Sequence, residues 1–137
     1  MPLATRRFLQ ASFICLVAAM AVNLLIAISP FIRMGINGLQ PIYFHLFLVG
    51  WATNLIIGVV NWMFPKKSRE MPRGTEMATW WVFVLLNGGL LLRVFTEPAA
   101  SSAATTALQV SIVASALSQW AAVVIFVVNT WPRIKER

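Results

Sequence analysis

Four long apolar stretches, with nearly all the charge confined to the short segments between them, restrict this chain more than any other feature. They run roughly over 8–29, 42–64, 78–95 and 107–130, each close to the ~20 residues a helix needs to cross a hydrocarbon core. The second stretch carries no ionisable side chain except His45 and Tyr43, and the fourth carries none. A water-soluble domain of 137 residues is not 59% hydrophobic and 11% charged. The pattern predicts an all-α, integral membrane four-helix bundle forming one transmembrane domain over 1–137. With connections of about 13 residues or fewer, neighbouring helices should run up-down-up-down.

Charge sets the expected orientation. Arg6 and Arg7 precede the first span; Lys66, Lys67, Arg69 and Arg73 lie between the second and third; Arg133, Lys135 and Arg137 follow the fourth. Only Arg33 and Arg93 fall towards the other side. The positive-inside rule puts both termini and the middle loop in the cytoplasm of a multi-pass protein of the inner (plasma) membrane. Trp62, Trp80, Trp81 and Trp131 fall at the same ends of their spans, where amphipathic indoles favour the interface. The net charge of +7 is therefore read as anionic-lipid contact rather than nucleic-acid binding. The paired arginines ahead of an apolar run share a feature with twin-arginine export signals. The run is longer than the ~7–15 residues of a signal-peptide core and ends without a small-residue cleavage site, so an uncleaved first span is expected.

Proline and small residues mark the boundaries. Pro30 and Pro65 should end the first two spans, Pro98 and the small residues after it should form the turn into the fourth, and Thr75 should cap the third. The lone Cys15 has no partner for an intrachain disulfide and is expected to be a packing thiol.

Polar residues within the spans say more. Asn54, Asn87 and the Ser118–Gln119 pair fall at similar depth and should bond one another, because an unpaired amide in hydrocarbon costs several kcal/mol. Gly50, Asn54, Gly58 and Asn61 share one helical face, and Asn87-Gly88-Gly89 supplies a counterpart, so a close seam between spans two and three is expected. His45, the only histidine, lies roughly 140–180° of helix rotation from that face. Tyr43, Arg93 and Glu97 should lie at its depth. Ionisable groups inside a membrane are candidate functional groups, and these four are the candidate ligand contacts.

The inventory excludes much chemistry. One histidine, one cysteine and four carboxylates (Glu70, Glu76, Glu97 and Glu136), spread over both sides, cannot build a multi-ligand zinc, copper or iron–sulfur site. No phosphate loop or Ser/His/Asp set is present, no catalytic residue or metal ligand set is assigned, and no carboxylate lies deep enough for a proton-coupled carrier. A haem, needing only one or two axial ligands, stays open at His45.

The run Pro41-Ile42-Tyr43-Phe44-His45-Leu46-Phe47-Leu48-Val49-Gly50-Trp51-Ala52-Thr53, with Ile56, Gly58, Val59 and Met63-Phe64-Pro65, resembles heme-copper oxidase subunit I relatives. The nearest are small homologues allied to C-family cytochrome oxidases and nitric oxide reductases. Trp80-Trp81 and Leu85-Leu86-Asn87-Gly88-Gly89-Leu90 resemble the next helix of those chains, so the likeness covers about 50 residues across spans two and three. Where the family offers two histidines at the helix start, this chain has Tyr43 and His45; where it offers one near the helix end, this chain has Asn61-Trp62. The resemblance implies a related helical scaffold in an electron-transfer setting, without the binuclear metal centre. The expected function is a small accessory subunit of a respiratory or photosynthetic complex that oxidises quinol, with other integral membrane subunits and lipids as partners and a quinone or haem b at a subunit interface. The alternative is a self-contained haem- or quinone-binding protein using His45.

Overall fold

In the computed structural model, residues 1–28, 38–64, 75–103 and 105–134 are described. Among them the chain forms four helices and no strand: α1 (Leu3–Ile28), α2 (Leu39–Met63), α3 (Glu76–Ser102) and α4 (Thr106–Thr130), the last ending in a 3₁₀ turn, Trp131–Arg133. All four are long and apolar enough to cross a membrane. Pro30 and Pro65, Arg33, and the basic residues and Glu70 of the middle loop lie outside the described residues, as do Lys135, Glu136 and Arg137.

Burial runs opposite to that of a soluble bundle. The apolar centre is small, built on Phe8, Ile57, Val82, Leu86 and Ala122, while Thr5, Ser12, Asn54, Asn61, Thr79, Thr96, Ser115 and Thr130 are buried with it. Large apolar side chains point outward instead, with Val17 70% and Phe95 75% exposed. That is the arrangement lipid selects, since tails solvate leucine and phenylalanine while polar groups need partners inside. Trp62, Trp81 and Trp131 project outward at the end that also holds Arg6, Arg7 and Arg133, hereafter the basic end.

Contacts between helices fix the topology. Cys15, Phe8 and Thr5 of α1 meet Gly50, Gly58 and Asn61 of α2 in that order. Leu90 and Asn87 of α3 meet Gly50 and Asn54. Leu85, Gly89 and Arg93 of α3 meet Ser118, Ser115 and Ile112 of α4. Each sequential pair is therefore antiparallel, and α1 runs parallel to α3. Helix α1 packs mainly on α2 and α4 mainly on α3, and a smaller α2–α3 contact joins the two pairs.

The seam is shared differently from the sequence expectation. Asn54 and Asn87 do bond reciprocally across α2 and α3, at 3.2 and 3.0 Å. The glycines of α2, however, mainly admit α1. A Cβ on Gly50 would lie 2.7 Å from the Cys15 Cβ, and one on Gly58 would lie 3.1 Å from the Phe8 Cβ. Gly89 admits α4, where a Cβ would stand 3.0 Å from the Ser115 carbonyl oxygen, while Gly88 faces open space. Ser118 and Gln119 do not reach the asparagines. Ser118 donates to the Leu85 carbonyl at 2.7 Å, and Gln119 donates to Ser115 within α4.

Two boundaries also differ. Helix α3 continues through Pro98 to Ser102, although proline removes an intrahelical hydrogen bond. Gly38 packs against that proline; with φ at 130° and a would-be Cβ 3.2 Å from the Pro98 Cα, glycine is required there twice over. Thr75 occupies the N-cap of α3 without capping it through its side chain; its own N–H donates to Asn129 of α4 at 3.1 Å. Thr105 does cap α4, accepting from the Leu108 N–H at 3.4 Å.

Candidate functional site

The candidate site sits at the end opposite the basic residues, and its position depends on an irregularity in α2. Pro41 lies in the first turn, where its missing N–H costs nothing. From His45 to Thr53 the helix is π-wound, with i→i+5 closure. The Thr53 hydroxyl and the Asn54 amide both donate five residues back, to the Leu48 and Val49 carbonyls. One residue extra per turn shifts everything beyond it by about 100° relative to an unbroken α-helix. Nine α-helical steps from His45 to Asn54 would place the two on opposite faces. The wide turn brings both round towards α3, so His45 faces a helix of its own chain rather than standing away from the seam.

There it meets Glu97. The His45 Nδ1 lies 2.8 Å from the Pro41 carbonyl oxygen and 3.3 Å from the Glu97 Oε2. A carbonyl oxygen only accepts, so Nδ1 carries a proton and donates to Pro41. Nε2 makes no hydrogen bond among the described residues and is an acceptor whenever the ring carries a single proton. Glu97 Oε1 accepts from the Arg93 Nε at 2.8 Å, one turn away. The Arg93 Nη1 reaches α4, donating to the Ile112 carbonyl at 3.3 Å. Three helices are thereby tied by one charge cluster whose carboxylate side chain is only 12% exposed.

One atom in this cluster is not satisfied. Glu97 Oε2 is buried and, among the described residues, has no hydrogen-bond partner; the nearby imidazole proton is directed at Pro41 instead. A buried carboxylate oxygen without a donor costs of order 1–3 kcal/mol or more, so native structures rarely leave one unexplained. The cluster thus holds two unpartnered atoms, the enclosed Glu97 Oε2 and the Nε2 of the partly exposed imidazole.

Tyr43 does not join this cluster. Its ring heads an aromatic row down α2, 5.8 Å from Phe47, which lies 4.7 Å from Trp51. The remaining sequence-selected residues, Gly50, Asn54, Gly58, Asn61 and Asn87, all serve helix packing. No cluster of three or more His, Cys, Asp and Glu side chains occurs among the described residues. Two participants were not singled out from sequence, the Pro41 carbonyl and Ile112. Their signal is the wide turn and the α3–α4 register, neither of which a regular-helix reading contains.

At the basic end Arg133 is 1% exposed. It donates to the Asn61 Oδ1 at 3.4 Å and to the Asn61 and Phe64 carbonyls at 3.2 and 3.0 Å, and sits 6.0 Å over the Phe64 ring. It thus closes the C-terminus of α2, whose last carbonyls have no intrahelical partner. Sequence reading placed Arg133 in the basic cluster after the fourth span, expected to contact anionic lipid, and missed this role. Comparison with protein-family models, curated proteins and solved structures gave no match to the chain.

Proposed function

We propose that this chain is a small, non-catalytic subunit of a larger membrane electron-transfer complex, and that it supplies a contact site for the head group of a quinol. The observation that carries the reading is the pair of open acceptors, Glu97 Oε2 and His45 Nε2, beside an otherwise satisfied ion cluster within the span. A quinol presents hydroxyl donors and an oxidised quinone presents none, so two acceptors suit the reduced form. Arg93 occupies one oxygen of Glu97 and leaves the other for the ligand. Tyr43 and the aromatic row below it offer an apolar surface on the same helix for ring or subunit contact. The likeness of α2 and α3 to heme-copper oxidase relatives supports an electron-transfer setting, and the departures at Tyr43 and Asn61-Trp62 argue against a binuclear centre in this chain.

Mild-detergent purification from the native membrane tests both halves. Expected are co-purifying membrane subunits and quinol binding that His45→Ala and Glu97→Gln abolish while assembly persists. A stable chain that purifies alone and binds no quinol overturns the reading. A second reading, a self-contained haem protein, is favoured by one detail. An imidazole whose Nδ1–H is held by a backbone carbonyl presents Nε2 in the manner of a metal ligand. A Soret band lost in His45→Ala would select it.

A further inference from the structure

At the basic end, a groove of about 490 Å³ opens between α1 and α3, lined by Arg7, Gln10, Ala11, Phe13, Ile14 and Phe83. Its size is within the range that holds small ligands, and its character changes along its length. Ala11 leaves room at the floor, Phe83 closes one side, and Phe13 and Ile14 stand exposed at the rim. Phe83 is itself held in place edge-on by Phe8 at 5.1 Å and by Trp80 at 6.0 Å. At the mouth, Arg7 is exposed and its guanidinium makes one hydrogen bond among the described residues, to the Gln10 Oε1 at the long distance of 3.5 Å. No acidic residue precedes Glu70 in the chain, so nothing on α1 neutralises it.

We infer that this groove seats one anionic phospholipid, with its phosphate on Arg7 and Gln10 and an acyl chain along Ala11, Ile14 and Phe83. Parallel packing puts Arg7 level with Phe83, two residues (about 3 Å of rise) inward from the outward-facing Trp81. Indoles settle at the head-group boundary, so the guanidinium lies at phosphate height and the apolar floor continues below it into hydrocarbon. A free phosphate would meet the charge and leave the apolar groove unfilled; a zwitterionic lipid would fill the groove and cancel its own charge at Arg7. This seat is at the opposite end from the quinol contact and stands whether or not that reading does.

Native mass spectrometry of the full chain, released from detergent with phosphatidylglycerol or phosphatidylcholine of identical acyl chains, tests it. The wild type should retain the anionic lipid about fivefold more strongly, the contribution of one arginine near the surface. Arg7→Gln should remove that preference. Arg6→Gln, one residue round the helix and outside the groove, should leave it intact. Ala11→Leu, which fills the floor, should lower retention of both lipids, with helicity measured by circular dichroism to show that the bundle persists. Equal preference in Arg7→Gln and wild type, equal loss in Arg6→Gln and Arg7→Gln, or displacement of the lipid by glycerol phosphate would each overturn the assignment.

Discussion

Among the described residues, each end of this bundle holds a charged group out of water, Arg133 at one end and the Oε2 of Glu97 at the other, and their surroundings differ. Among the described residues, Arg133 sits over an aromatic ring and donates to two backbone carbonyls and an amide oxygen. Glu97 has an ion partner in Arg93 and an imidazole nearby, yet one of its oxygens lacks a donor. The same desolvation cost acts on both, so the contrast lies in how each is met. At the basic end the cost is offset within the chain, and the arginine fastens α4 to α2. At the other end it is left partly open, which is what a binding site requires and a strut does not.

Removing the strut should have the largest effect. Arg133→Ala strips donors from the Asn61 and Phe64 carbonyls and is expected to destabilise the bundle by about 2–4 kcal/mol, read by denaturant titration in mixed micelles. Next is the packing that brings α1 onto α2. Gly50→Val puts atoms where the Cys15 Cβ already stands and should cost about 1–3 kcal/mol by overpacking. Asn54→Leu leaves Asn87 with its cross-helix partner removed and should cost about 1–2 kcal/mol, while the Asn54→Leu/Asn87→Leu pair should lie closer to wild type than the sum of the singles; a double-mutant cycle measures the coupling. The smallest stability change belongs to the open end, where His45→Ala should shift unfolding by roughly 0.5–1 kcal/mol while abolishing quinol binding. If His45→Ala instead destabilised the bundle as strongly as Arg133→Ala, the distinction between the two ends would fail.

Much of the architecture was legible because lipid imposes length and apolar composition on each span. The four helices and the Asn54–Asn87 pairing follow from those demands. So does the Arg93–Glu97 pair, a one-turn spacing that any α-helix produces. What was not legible depends on departures from regular geometry. A helical wheel with uniform rotation sends His45 away from α3, because the wide turn leaves no mark in residue type. Small residues announce close approach without naming the partner, so Gly50 and Gly58 pointed to the wrong neighbour. Pro98 reads as a stop until Gly38 is seen packed against it. Arg133 reads as a loop charge because its acceptors lie some 70 positions away in sequence.

The wide turn of α2 has a genetic consequence. It acts as a phase compensator: by taking up one residue more than an α-helix would over the same rotation, it keeps the portion carrying His45 in register with the portion nearer the basic end, locked by Asn54. Winding all nine steps from His45 to Asn54 uniformly would swing the imidazole off its carboxylate, whereas removing one residue between Leu46 and Thr53 and winding the rest as an α-helix would leave both the imidazole and the amide lock at their present angles. A one-residue insertion taken up as a wide turn is therefore a change in length that such a scaffold can accept while keeping its outer site.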